Sequence, residues 1–87
     1  MTATMVRSMK FMNAEDQGAQ LERIANALVA VVNDHESTGE PYALHDALVA
    51  TVRRQRVPLS DVRYALTYAK SQKRVRVDAS THVITTN

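Results

Sequence analysis

After Asn13 the apolar residues recur at spacings of three and four: Leu21, Ile24, Ala25, Leu28, Val31, Val32 and His35 share one face of a helix. Asn13 can cap that helix, and Glu15 and Asp16 in its first turn suit the positive end of the helix dipole. The spacing therefore predicts a long first helix ending before Gly39. Pro41 and Tyr42 read as a short extended link, followed by a second helix from about Ala43 to Gln55 with Leu44, Ala47, Leu48 and Val52 inward. Val57-Pro58-Leu59-Ser60 breaks the chain, because proline disfavours helix at the residue before it. Ser60 is then expected to cap a third helix, with Asp61 just inside.

On that third helix Val62, Ala65, Leu66 and Ala69 fall on the inner face, which turns Arg63, Tyr64, Thr67 and Ser71 outward and leaves Lys70 at the flank. After Lys73 the period changes from helical to alternating. Arg74-Val75-Arg76-Val77-Asp78 reads as a strand with valines on one side and basic groups on the other. Ala79-Ser80-Thr81 is the expected turn, and the β-branched run from His82 to Thr86 the return strand. No Asn-Gly pair sets the register, so either Val83 or Ile84 joins the valines on the core side. Residues 1–12 show no caps or turns and form an N-terminal arm beside a domain at 13–87. The arm is either disordered or, since Met5, Met9 and Met12 recur at helical spacing beside Phe11, packed on a second subunit of a homodimer.

Composition narrows this picture to one small domain. At 87 residues, 45% hydrophobic, with one Phe, three Tyr and no Trp, the core must come from Ala, Val, Leu and Ile. That favours a mainly α fold with a small β-hairpin. The absence of cysteine removes disulfides and thiolate zinc sites. The apolar run at residues 28–32 is too short to span a bilayer, and the start lacks a signal-peptide pattern, so the expected location is cytoplasmic, with no membrane partner.

Charge is divided along the chain. Residues 1–46 carry three basic groups against seven acids, a net −4, and residues 47–87 carry eight basic groups against Asp61 and Asp78, a net +6. Such asymmetry points towards a polyanion. Arg53 and Arg54 also suit the negative end of the second helix's dipole, a structural reason for their presence.

The order helix, link, helix, short turn, helix, hairpin resembles the winged helix-turn-helix superfamily, most of all in "VPLSDVRYALTYAKSQKRVRVDASTHVIT". Such domains usually place a glycine where the third helix meets the first wing strand; here Ser71-Gln72-Lys73 stands there. The resemblance implies a three-helix winged domain that binds double-stranded DNA, with the third helix as the reading element in the major groove. Arg63, Tyr64, Thr67, Lys70 and Ser71 would then face the groove. Arg53, Arg54, Arg56, Ser60, Lys73, Arg74, Arg76 and the wing residues Ser80, Thr81 and His82 would meet phosphates or the adjacent minor groove. A transcriptional regulator or a recombination or architectural accessory factor, nucleoid-associated, is the implied role.

The competing reading is a winged domain used for protein contacts, with Val49 and the Met-rich arm as its apolar surface. An enzyme reading has little to stand on: there is no cysteine nucleophile, no glycine-rich loop and no carboxylate or histidine cluster at catalytic spacing. His35, His45 and His82 belong to three different elements, and no cofactor, metal or small-molecule ligand is indicated.

Overall fold

Asn13 caps the first helix as its side chain suggests, its Oδ1 accepting from the Asp16 amide at 2.8 Å. In the computed structural model, which describes residues 8–87, this helix, α1, spans Ala14–Glu36. α2 (Leu44–Gln55) and α3 (Leu59–Ser71) follow, and the chain ends in the antiparallel pair β1 (Val75–Val77) and β2 (Ile84–Thr86). The layout is that of a three-helix winged helix-turn-helix, mainly helical with a two-stranded hairpin.

α1 lies at the centre. Ile24, Leu28 and Val32 are fully buried and meet Ala47 and Leu48 of α2, Val62, Ala65 and Ala69 of α3, and Val75 and Ile84 of the hairpin. Alanines at three of these contacts keep the helix surfaces low, so the backbones approach closely despite the shortage of aromatic bulk. Leu66 and Val52, expected inside, are only half-buried. The inward place beside Val52 in α2 is taken by Thr51, which is fully buried because its hydroxyl donates to the Ala47 carbonyl at 2.8 Å and leaves only its methyl to pack.

The hairpin register pairs Val77 with Ile84 and Val75 with Thr86. Ile84 is the residue that joins the core, while Val83 is half-buried and bridges Ala43. The link before α2 thus acts as a third strand: the Ile84 amide donates to the Tyr42 carbonyl at 2.9 Å and the Leu44 amide to the His82 carbonyl at 2.8 Å. At the far end of β2 the Glu36 carboxylate accepts from the Thr86 amide and hydroxyl, an anchorage that lowers the Glu36 pKa, chiefly through the amide.

Three expectations need correction. Ser60 does not cap α3; the helix begins at Leu59, its cap position is Pro58, and the amides of Asp61 and Val62 bond to the Pro58 carbonyl instead. Proline supplies an extended residue with its φ already set, so the helix begins two residues earlier than a serine cap would place it. The return strand is shorter than residues 82–86, because His82 takes a left-handed φ of 56° and belongs to the turn. The first strand is also shorter than residues 74–78. Asp78 instead closes the wing, its Oδ1 accepting from the amides of Ser80 and Thr81. These amide bonds hold the Asp78 carboxyl below its ordinary pKa.

The missing glycine at the α3–wing junction has a local answer. Lys73 itself adopts the left-handed conformation, φ 59°, with its amide on the Lys70 carbonyl at 3.0 Å and the Arg74 amide on the Ala69 carbonyl at 2.9 Å. This is a Schellman ending with lysine where glycine is usual. Lys73→Gly should therefore raise stability by about 1 kcal/mol, because the left-handed strain on a Cβ disappears. Thermal melting checks this: a lower melting temperature in the variant would mean that the lysine side chain stabilises the junction by more than its backbone strain costs.

Candidate nucleic-acid interface

Two helices joined by Arg56-Val57-Pro58 set the geometry. Val57 is fully buried and pins the turn to the core, and Arg56, with a φ of 54°, ends α2 in the left-handed conformation, its amide on the Val52 carbonyl at 2.8 Å. α3 is thereby fixed against α1 through Val62, Ala65 and Ala69, and the opposite face is left to solvent. On it Arg63, Tyr64, Thr67, Lys70 and Ser71 are all exposed, Tyr64 at 64%. Among the described residues neither Arg63 nor Lys70 forms an ion pair. Thr67 and Ser71 donate their hydroxyls to the Arg63 and Tyr68 carbonyls, so they face outward mainly as acceptors.

The other sequence-predicted residues divide into those left free and those engaged. Arg53 and Arg56 at the end of α2 are exposed, as are Lys73, Arg76, Ser80, Thr81 and His82 on the wing. Ser60, in the first turn of α3, is exposed beside Tyr64, one turn further on. Arg54 reaches Asp34 at 3.7 Å, but both side chains are more than half exposed, so the pair contributes about 0–1 kcal/mol and leaves the guanidinium available.

Arg74 is different. The strand alternation predicts Arg74 and Arg76 on one outward side, yet the chain is still turning at Lys73, and Arg74 swings onto α1. Its guanidinium meets Glu22 at 3.4 Å, Gln72 at 3.4 Å and the Asn26 side-chain oxygen. Tyr68 completes the cluster by donating to Glu22 at 2.7 Å and accepting from Gln72 at 3.0 Å. The bond to the Glu22 carboxylate is the main reason that the Tyr68 pKa is raised. The network ties the start of the wing to α1 and α3, and Arg74 sits in it as a strut.

A second contact escaped the sequence pattern. Asp61, 5% exposed, accepts from the Ser8 hydroxyl at 2.9 Å and the Met9 amide at 3.0 Å, and Met9 is buried in the core of its own chain at 7% exposure. A short 3₁₀ turn at Met9–Phe11 follows, held also by Gln17, whose side-chain Nε2 donates to the Met9 carbonyl at 2.8 Å. No periodicity announces a single buried methionine held by a carboxylate 52 residues away. Of the methionines offered to a second subunit, Met5 lies outside the described residues, Met9 is occupied internally and Met12 is half-buried.

His35 stacks on Tyr42, ring centroids 3.8 Å apart, as a half-buried rim residue. Among the described residues no group of three His, Asp or Glu side chains is placed to hold a metal ion, and no helix is long and apolar enough to cross a membrane. Compared with protein-family models, with curated proteins and with solved structures, the chain finds no match.

Proposed function

We propose that this chain binds double-stranded DNA, with α3 in the major groove and the wing and the end of α2 on the phosphate backbone, as a transcriptional regulator or a recombination or architectural accessory factor. One observation carries the reading: the face of α3 turned from the core holds Arg63, Tyr64, Thr67 and Lys70 exposed, its cations without ion pairs among the described residues. A face that is merely solvated more often interleaves acids with its bases. The side chains fit the chemistry of base edges, since a guanidinium can bond guanine O6 and N7 together and hydroxyl oxygens accept from adenine or cytosine amino groups. For the protein-contact alternative less apolar surface is on offer, because Val49 is half-buried and Met9 belongs to the core.

Mobility shift with random duplexes at two salt concentrations tests the proposal, because phosphate contacts release counterions and must make affinity fall steeply with salt. Binding that is absent, or that ignores salt, would overturn it. Within the footprint, Arg76→Ala should lower affinity for all duplexes alike and flatten the salt slope by about one unit. Arg74→Ala should instead leave the slope nearly unchanged and lower stability by about 1 kcal/mol, since it removes hydrogen bonds to Glu22 and Asn26. Equal slopes lost in both variants would place Arg74 on phosphate as well.

A further inference from the structure

We infer that the segment Ser8–Phe11, clasped to the first turn of α3, forms part of the same polyanion-binding face, with Lys10 as an additional phosphate contact. This rests on the DNA-binding reading above and extends it to a part of the chain that charge along the sequence assigns to the acidic half.

The clasp is specific. The carboxylate of Asp61 takes the Ser8 hydroxyl and the Met9 amide, Met9 plugs the core, and Gln17 holds the Met9 carbonyl. Three polar bonds and one buried side chain therefore fix the backbone immediately before Lys10, so the lysine is delivered to a set place. That place is beside the reading helix: Lys10 lines an open cavity of 490 Å³ together with Ser60 and Tyr64, both on the exposed side of α3. The major groove is about 12 Å wide. A helix seated in it brings whatever flanks its first turn against one of the phosphate strands that wall the groove.

Among the described residues Lys10 is the one cation that lines the cavity. Asp61 lies in the same cavity, but its carboxylate is buried and bonded to two donors in the first turn of a helix, where the dipole opposes its charge. Glu15 and Asp16 follow in the first turn of α1, yet Lys10 makes no ion pair among the described residues. Its ammonium sits 5.0 Å from the centroid of the Phe11 ring. Phe11 is 63% exposed, so the pair stands at the surface, a cation steadied over an aromatic face and open to solvent.

The chain contains no cysteine, so a single introduced thiol can be labelled cleanly. Lys10→Cys carrying an iron–EDTA chelate should cleave a bound duplex at backbone positions flanking the α3 site. Lys10→Ala should weaken binding to specific and random duplexes several-fold alike, flatten the salt slope by about one unit and leave the melting temperature unchanged. Wild-type protein that fails to bind duplex DNA overturns the DNA-binding reading and this inference together. Wild-type binding that is retained in Lys10→Ala with the same affinity and slope, and with no cleavage from the Lys10→Cys conjugate, overturns this inference alone.

Discussion

Ile84→Ala should lower the stability of this domain by about 2–5 kcal/mol, the range for emptying a buried branched side chain into a site that cannot collapse around the void. The side chain is fully buried in the core where α1 packs on the hairpin, and its neighbours are held by elements with their own anchors. Its amide is also fixed, by the Tyr42 carbonyl at 2.9 Å, so the strand has little freedom to shift inward. For a domain of this size 1 kcal/mol moves the melting temperature by roughly 4–8 °C, which puts the variant about 8 °C or more below the parent. Val83→Ala, one residue earlier and half-buried, should cost under about 1 kcal/mol. Thermal or urea unfolding of both variants reads the hairpin register directly. Val83→Ala as damaging as Ile84→Ala, or more so, would mean that the strand is displaced by one residue, because such a slip exchanges the two faces.

Arg63→Ala should leave the melting temperature nearly unchanged while reducing discrimination between a selected site and random DNA by about 1–3 kcal/mol. Arg63 is exposed and bears no core contact, whereas Val62, Ala65 and Ala69 fill the inner face. Arg63 and Thr67 lie one turn apart on the outer face with Tyr64 beside them, so the three could address neighbouring base pairs. Arg54→Ala should weaken specific and random duplexes to a similar degree, since the end of α2 would meet phosphates. Paired affinities for both variants at one fixed salt concentration separate the outcomes. Equal losses on both duplexes for Arg63→Ala would make α3 a sticking surface, not a reading one. No loss on either would remove this face from the DNA-binding role.

Helices, their inner faces and the existence of a hairpin were legible because they are local: a period of 3.6 or 2 is written in neighbouring residues, and Asn13 caps with its own side chain. The α3 face was legible for the same reason, as Val62, Ala65 and Ala69 being inside forces Arg63, Tyr64 and Thr67 outside. Element ends were less so. Pro58 and Ser60 both signal a helix start, and the choice between them depends on how Val57 seats in the core.

What the sequence by itself determined, then, is the order of elements, the burial of α1's apolar stripe and the outward set of charges on α3. Only the tertiary structure decided which β-branched residue of the return strand enters the core, that Arg74 braces the wing against Glu22 while Arg76 stays free, and that Ser8 and Met9 close on Asp61. Each of these joins residues roughly 7 to 53 positions apart, and such contacts depend on the shape of space left after helices have packed, which no local period encodes.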